Sequence, residues 1–303
     1  MNTLLETENL SQVLSQGWFE TGEVKRLLKF IQDGEEREFL REYQWALSLW
    51  AEHSQDTKQK IILTLDGRDT AWKGSNIKRV TEQLNIWRFG TKAFPGIPSD
   101  EEKLGDNWFK RYEKFFPEDG KMRFFDRSWY NRSGVEAAMG FCSQEEYDWF
   151  MENVNRFEKE RIIDLWYNYL KIYLSITKDT QKKRLKIREK PRKAWKSSPI
   201  DAVAQEKWWY YTLAKKKTLE LTDSEHAPWI VLDSNEKYLS AIEIIKAIVG
   251  TSDEVRRMVE NDLSIDLSPN TDIRRTAQEE LKLMQHRWEI PTKKTDFKFH
   301  TSK

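Results

Sequence analysis

The chain has 303 residues, 38% hydrophobic, 33% charged and 13% aromatic, which suffices for a packed core and excludes wholesale disorder. Lys plus Arg total 51 against 50 Asp plus Glu, and the net charge of +1 excludes a globally basic nucleic-acid binder, leaving any polyanion site to local clustering. One cysteine, Cys142, excludes an internal disulfide, four scattered histidines (His53, His226, His286, His300) suggest no zinc centre, and a start without a basic or long apolar segment leads us to expect a cytoplasmic protein with no signal peptide or membrane span.

Residues 20–56 read as helical, because Leu27, Leu28, Phe30 and Ile31, then Phe39, Leu40, Trp45, Leu47 and Trp50, recur near helical spacing. Lys60 to Leu65 is a short continuous apolar run, as in a strand buried on both faces, and it leads into a glycine-bearing loop. A helix is expected over Asn76–Leu84, a second strand over Arg88–Phe94, a helix over Glu101–Phe116 that stops before Pro117, and a third strand over Met122–Phe125. Gln144–Asn168 reads as a helix, Tyr169–Ile176 as the fourth strand, Lys178–Arg188 as a basic helix and Pro199–Leu219 as another. Trp229–Leu232 is the fifth strand and Lys237–Val249 the helix after it; residues 251–303 offer two more helices and a polar tail. Strands alternating with helices imply an α/β chain with a parallel five-stranded sheet covered on both faces, and one domain over residues 1–303.

Two loops carry the chemistry. Gly67-Arg68-Asp69-Thr70-Ala71-Trp72-Lys73-Gly74 follows the first strand and opens a helix, the context of a phosphate-cradling loop. In such a loop backbone N–H groups and the helix N-terminus meet the anion, and the lysine reaches terminal phosphates. Gly67 and Lys73 keep the spacing, but Trp72 occupies the second glycine's place. Gly74 stands where a hydroxyl usually holds magnesium, so Asp69 becomes the candidate metal ligand inside the loop. After the third strand comes Asp126, followed by Arg127 and Arg132. A carboxylate at a strand's carboxyl end, flanked by guanidinium groups, suits a metal-bound phosphate chain. Asp69 and Asp126 together suit one or two Mg²⁺ ions, while Lys73, Arg127 and Arg132 offset charge on a transferring phosphoryl group.

These residues resemble the family-2 polyphosphate kinases. The resemblance rests on Asp66-Gly67-Arg68-Asp69 with Lys73-Gly74 and Ile77-Lys78-Arg79, on Trp108-Phe109 with Arg111-Tyr112, and above all on Phe125-Asp126-Arg127-Ser128-Trp129-Tyr130-Asn131-Arg132 with Gly134-Val135-Glu136. It continues through Met139-Gly140-Phe141, Gln181, Arg184, Arg188, Trp195-Lys196, Ser198-Pro199, Asp201 and Ala227-Pro228-Trp229 to Lys237, covering roughly residues 25–250. It implies a three-layer α/β/α P-loop kinase fold with a helical lid and N-terminal helices. It also implies transfer of a terminal phosphoryl group between inorganic polyphosphate and a nucleoside mono- or diphosphate, with magnesium, or manganese in its place. By the same resemblance the loop aspartate and lysine fall on Asp69 and Lys73, the second acidic residue on Asp126, and its arginines on Arg127 and Arg132. The lid arginines fall on Arg184 and Arg188. Gly67, Arg68, Gly74, Ser75 and Lys78 complete the expected phosphate-binding set, and a homo-oligomer, dimer or tetramer, with no nucleic-acid or membrane partner, is implied.

Lys182 to Lys196 holds nine basic residues and one acidic one, which after the fourth strand reads as a lid that clamps phosphate and excludes water. A solvated helix face is the plainer reading of the same run. Trp195, Trp208, Trp209, Tyr210 and Tyr211 offer base stacking, though aromatics this dense more often pack. The chain departs from the family at Trp72, Trp209, Ser75-Asn76 and Ala93-Phe94-Pro95-Gly96. An indole at position 72 points away, narrows the site or blocks it; Trp72→Gly is expected to preserve or raise activity. A non-catalytic relative that binds polyphosphate or nucleotide, and a P-loop kinase for another phosphorylated acceptor, are the alternatives.

Overall fold

The computed structural model describes residues 21–94, 96–192, 203–236 and 238–287, with side chains from residue 32 onward. Trp195, Lys196, Ser198, Pro199, Asp201 and Lys237, named above for the resemblance, lie outside the described residues.

Five strands run parallel: β1 (Lys60–Gly67), β2 (Phe89–Ala93), β3 (Met122–Asp126), β4 (Tyr167–Ser175) and β5 (Trp229–Asp233). Strand sequence explains why helices cover both faces. Ile61, Leu63 and Leu65 of β1 point to one side with Met122, Phe124, Ile172, Leu174, Ile230 and Leu232. Ile62 points to the other with Phe125, Tyr169, Tyr173, Trp229 and Val231. The first side is aliphatic and is covered by α1 (Thr21–Thr57), α2 (Lys73–Thr81) and, late in the chain, α8 (Leu239–Val249) and α9 (Asp253–Asp262). The second side is aromatic and is covered by α4 (Asn107–Glu113), α5 (Gln144–Glu158) and α7 (Trp208–Thr222). The result is the three-layer α/β/α architecture the sequence implies.

Two predicted helices are shorter than expected. Residues 101–116 split into α3 (Asp100–Lys103) and α4, because Ser99 and Glu102 form a capping box at the start and Gly105 turns left-handed, φ 47°, between them. The helix expected over 144–168 ends at Glu158, passes through a π-turn at Lys159–Ile163, and gives way to β4 after Trp166 takes φ 62°. The basic helix α6 (Lys178–Arg188) has the predicted bounds, with Thr177 as its N-cap.

The sheet also has a sixth strand, β6 (Arg274–Thr276), antiparallel to β5, and then α10 (Ala277–His286). Three polar residues give no apolar run to read, so this strand was not legible in sequence. The order is β2-β3-β1-β4-β5-β6. β1 sits between β3 and β4; it connects onward through α2 on the aliphatic side, whereas β3 and β4 connect onward past α5 and α7 on the aromatic side, so a crevice opens at the carboxyl ends of these strands, where open α/β sheets bind ligands. No helix among the described residues is long and apolar enough to cross a membrane.

Candidate active site

The loop after β1 is shaped by close packing. Gly67 takes φ 142°, and a Cβ there would lie 2.5 Å from the Leu174 carbonyl of β4, so only glycine fits. Thr70 and Trp72 follow in the left-handed region, φ 68° and 67°, a conformation that costs a non-glycine residue about 1–2 kcal/mol. Contacts from α6 and from just past the end of β5 hold them there. Arg184 of α6 donates to the carbonyls of Thr70 (2.9 Å), Ser234 (2.7 Å) and Asn235 (2.9 Å), and its guanidinium lies 3.4 Å from the centre of the Trp72 ring. Ser234 donates to the Ala71 carbonyl at 2.9 Å. Lys73 is buried and donates Nζ to the carbonyls of Gly67 (2.8 Å) and Arg68 (3.1 Å). Burial, and next the Arg127 charge, lower its pKa.

The second wall comes from β3. Register places Asp126 beside Leu65, one residue before Asp66. A Cβ on Gly74 would meet Asp126 Oδ2 at 3.0 Å, so the bare glycine lets that carboxylate stand against the start of α2. Arg127, also left-handed at φ 72°, turns back to donate Nη2 to Asp69 Oδ1 at 3.3 Å. Asp66 closes the floor: it is 8% exposed and accepts from Ser128 Oγ at 2.7 Å. Burial raises its carboxyl to about 6, against the lowering effects of the Ser128 hydrogen bond and Lys73.

A cavity joins these walls. Asp66, Gly67, Asp69, Lys73 and Arg127 line it, with Asn131 and Ser133 beyond β3 and Tyr211, Lys215 and Thr218 from α7. Of the residues the sequence put forward, Asp69, Lys73, Arg127 and Gly67 therefore converge, with Asp126 beside them. Others face elsewhere. Arg68 is buried and donates to the Trp208 carbonyl (3.0 Å) and to Thr212 Oγ1 (2.5 Å), its guanidinium 3.6 Å from the Trp208 ring centre. It ties the loop to α7. Trp208 is thus a partner for Arg68, Trp209 is exposed, and of the aromatic run Tyr211 lines the cavity.

Arg132 is the main correction. Its side chain is 1% exposed, 2.9 Å from the Glu136 carboxylate and 3.4 Å from that of Glu146, with the guanidinium 4.1 Å from the Trp108 ring centre. The π-turn Arg132–Glu136 rotates it inward while Ser133, Gly134 and Val135 face the cavity. Burial pushes the Glu136 carboxyl up to about 7 in spite of its arginine neighbours. Arg184 serves the loop backbone rather than the cavity lining. Ser75 and Arg188 are half-buried, and Gly74 and Lys78 exposed, outside that lining.

In sequence Asp66 has no role beyond the resemblance, and of the α7 wall Tyr211 is offered for base stacking but neither Lys215 nor Thr218 stands out. Tyr211, Lys215 and Thr218 stand at i, i+4 and i+7, one helix face, and that spacing was the available signal. Beneath the cavity, Glu158 and Lys171, both fully buried, pair at 2.8 Å. Glu158 also accepts from Trp129 Nε1 (3.1 Å), Tyr130 OH (2.7 Å) and Tyr169 OH (3.0 Å), which fixes the segment just after Asp126.

Among the described residues no group of three or more His, Cys, Asp or Glu side chains gathers to hold a metal. Asp69, in the loop after β1, and Asp126, the last residue of the neighbouring β3, supply two carboxylates at the carboxyl ends of adjacent strands. That donor set suits Mg²⁺, which is commonly bound by one or two carboxylates and completed by substrate phosphate oxygens and water.

Known proteins are similar to this chain in sequence and in fold. The sequence profile of polyphosphate kinase 2 (PPK2) matches residues 31–259. The NDP-polyphosphate phosphotransferase 2 of Ruegeria pomeroyi is 39% identical over 208 residues, 68% of this chain and 59% of that protein, so the chain spans about three fifths of this relative. The ADP-polyphosphate phosphotransferase of Pseudomonas aeruginosa is 39% identical over 201 residues, 66% of this chain and 64% of that one. A crystal structure of polyphosphate kinase 2 from Arthrobacter aurescens TC1 superposes with a TM-score of 0.66 at 28% identity, over 83% of this chain and 87% of the other. The chain belongs to the polyphosphate kinase 2 family.

Proposed function

We propose that this chain moves the terminal phosphoryl group between inorganic polyphosphate and a nucleoside diphosphate, ADP or GDP, or AMP, in a magnesium-dependent reaction. The observation that carries the reading is the gathering of Lys73, Arg127, Asp69 and Asp66 around one cavity at the carboxyl ends of β1 and β3, with Asp126 at its edge. Family membership and the relatives' names, ADP- and NDP-polyphosphate phosphotransferase, support the substrate class.

The chemistry asks for charge control more than for proton transfer. The bond from the terminal phosphorus to its bridging oxygen breaks, a new bond forms to an oxygen of the nucleotide's last phosphate, and the shortened polyphosphate keeps the electron pair. Asp69 and Asp126 would hold Mg²⁺, and the bound ion would neutralise phosphate charge and align donor with acceptor. Lys73 is poised for the transferring group. Its ammonium now rests on two loop carbonyls and can exchange them for phosphate oxygens over a short reach. Arg127, held by Asp69, presents the second cation. The Trp72 indole lies against Arg184 and is absent from the cavity lining, which favours catalysis over mere binding.

The test is a panel of donors (polyphosphate, ATP) against nucleoside mono- and diphosphates, with chain-length analysis of the polyphosphate. ATP or GTP formed from the diphosphate with shortening of the polymer supports the reading. Transfer to no nucleotide overturns it.

A further inference from the structure

We propose that Glu280, carried by α10, is a positioning residue for the active site: it fixes Lys215 of α7 at the cavity wall. This rests on the phosphotransferase reading above. It gives the C-terminal unit β6–α10 a role, although that unit lies beyond residues 31–259, which the family profile matches.

The geometry begins with β6, which pairs with β5 and so brings α10 against α7. Glu280 is 3% exposed, far too buried for a surface carboxylate. Every partner it has is specific. Its Oε1 accepts from Lys215 Nζ and from Ser175 Oγ (2.8 Å), and its Oε2 accepts from Arg275 Nε at 2.7 Å. Lys215 Nζ also donates to Ser175 Oγ at 3.0 Å. Ser175 is the last residue of β4, at the same carboxyl-end crevice as the phosphate loop. Two cations share one carboxylate, so the cluster keeps a net positive charge, and its Lys215 lines the same cavity as Lys73 and Arg127. Burial would raise the Glu280 carboxyl, but Lys215 and Arg275 outweigh it and hold it down at about 2.

A lysine has a flexible four-carbon stem and makes a poor fixed charge unless its head group is held. At Lys215 the carboxylate and hydroxyl hold it. An anionic substrate entering the cavity then meets an ammonium already in place. The packing of α10 alone would need no charged residue here. The charge is what ties the C-terminal unit to phosphate binding.

The experiment measures kcat and KM for ADP and for polyphosphate in the full chain carrying Glu280→Gln, Lys215→Met, both together, and Ser175→Ala. Glu280→Gln keeps the side-chain volume and removes the charge. The expected result is a KM raised about fivefold or more for one substrate, with kcat within twofold, and no further change when Glu280→Gln is added to Lys215→Met. Ser175→Ala, which removes the hydroxyl's two hydrogen bonds to Glu280 and Lys215 but keeps their ion pair, is expected to raise the same KM by a smaller factor and serves as the test if Glu280→Gln does not fold. Unchanged KM values in the folded variants, or a Glu280→Gln effect that persists in full without Lys215, would overturn the proposal while leaving the phosphotransferase reading intact. A wild-type chain with no transfer would instead remove the reading on which the proposal stands.

Discussion

The guanidinium of Arg184 lies 3.4 Å from the centre of the Trp72 indole, and this stack decides where the tryptophan points. Trp72 stands at a left-handed position that the phosphate-loop pattern gives to glycine, so two effects oppose each other. Trp72→Gly relieves about 1–2 kcal/mol of backbone cost and loses a cation–π contact worth about 0.5–2 kcal/mol. Its stability should match wild type within about 1 kcal/mol, with activity at or above wild type. Trp72→Ala loses the stack without gaining glycine's freedom. Thermal melts should place Ala below Gly by about 2–4 °C.

Asp66 gives a pH signature. Its carboxyl is raised from 3.8 to about 6 in the folded chain, chiefly by burial. The contribution to stability is therefore fully present below about pH 4 and lost as pH rises through about 6. At pH 8 the ionised group costs the fold up to about 3 kcal/mol, since each pKa unit is worth about 1.4 kcal/mol. Asp66→Asn keeps an acceptor for Ser128. Urea melts in metal-free buffer should show the variant more stable than wild type at pH 8, with the gain vanishing near pH 4.

Arg132 should behave as a structural residue. Removing it leaves Glu136 and Glu146 without their buried cation, and breaking such a pair costs about 3–5 kcal/mol. Arg132→Met should lower the urea midpoint strongly, while KM for polyphosphate in the folded fraction stays near wild type. A large KM increase with an unchanged midpoint would return Arg132 to the phosphate site.

Much of this was legible in sequence because the signals are local. β1 and β5 are continuous apolar runs, and Gly67, Asp69, Lys73, Asp126 and Arg127 lie at fixed offsets from strand ends, so their convergence follows from the topology. What was not legible depends on rotation or on distant partners. Arg132 is only five residues from Arg127, yet a π-turn reverses its direction. Arg68 reads as a loop cation, but α7 claims it through Trp208 and Thr212, more than a hundred residues away. The pairing of Lys215 with Glu280 was not legible either, because β6, which brings α10 against α7, is only three residues long.

On the proposed reading, Asp126 and the loop facing it run phosphoryl transfer from polyphosphate. The most direct measurement is ATP formation from ADP and polyphosphate with Mg²⁺, comparing wild type with Asp126→Asn. Wild type should form ATP as the polymer shortens, and the variant should lose at least about a hundredfold in rate, the scale of a lost electrostatic stabiliser in a closed site. A wild-type rate retained in Asp126→Asn, or no transfer by the wild-type chain to any nucleoside mono- or diphosphate, would contradict the account.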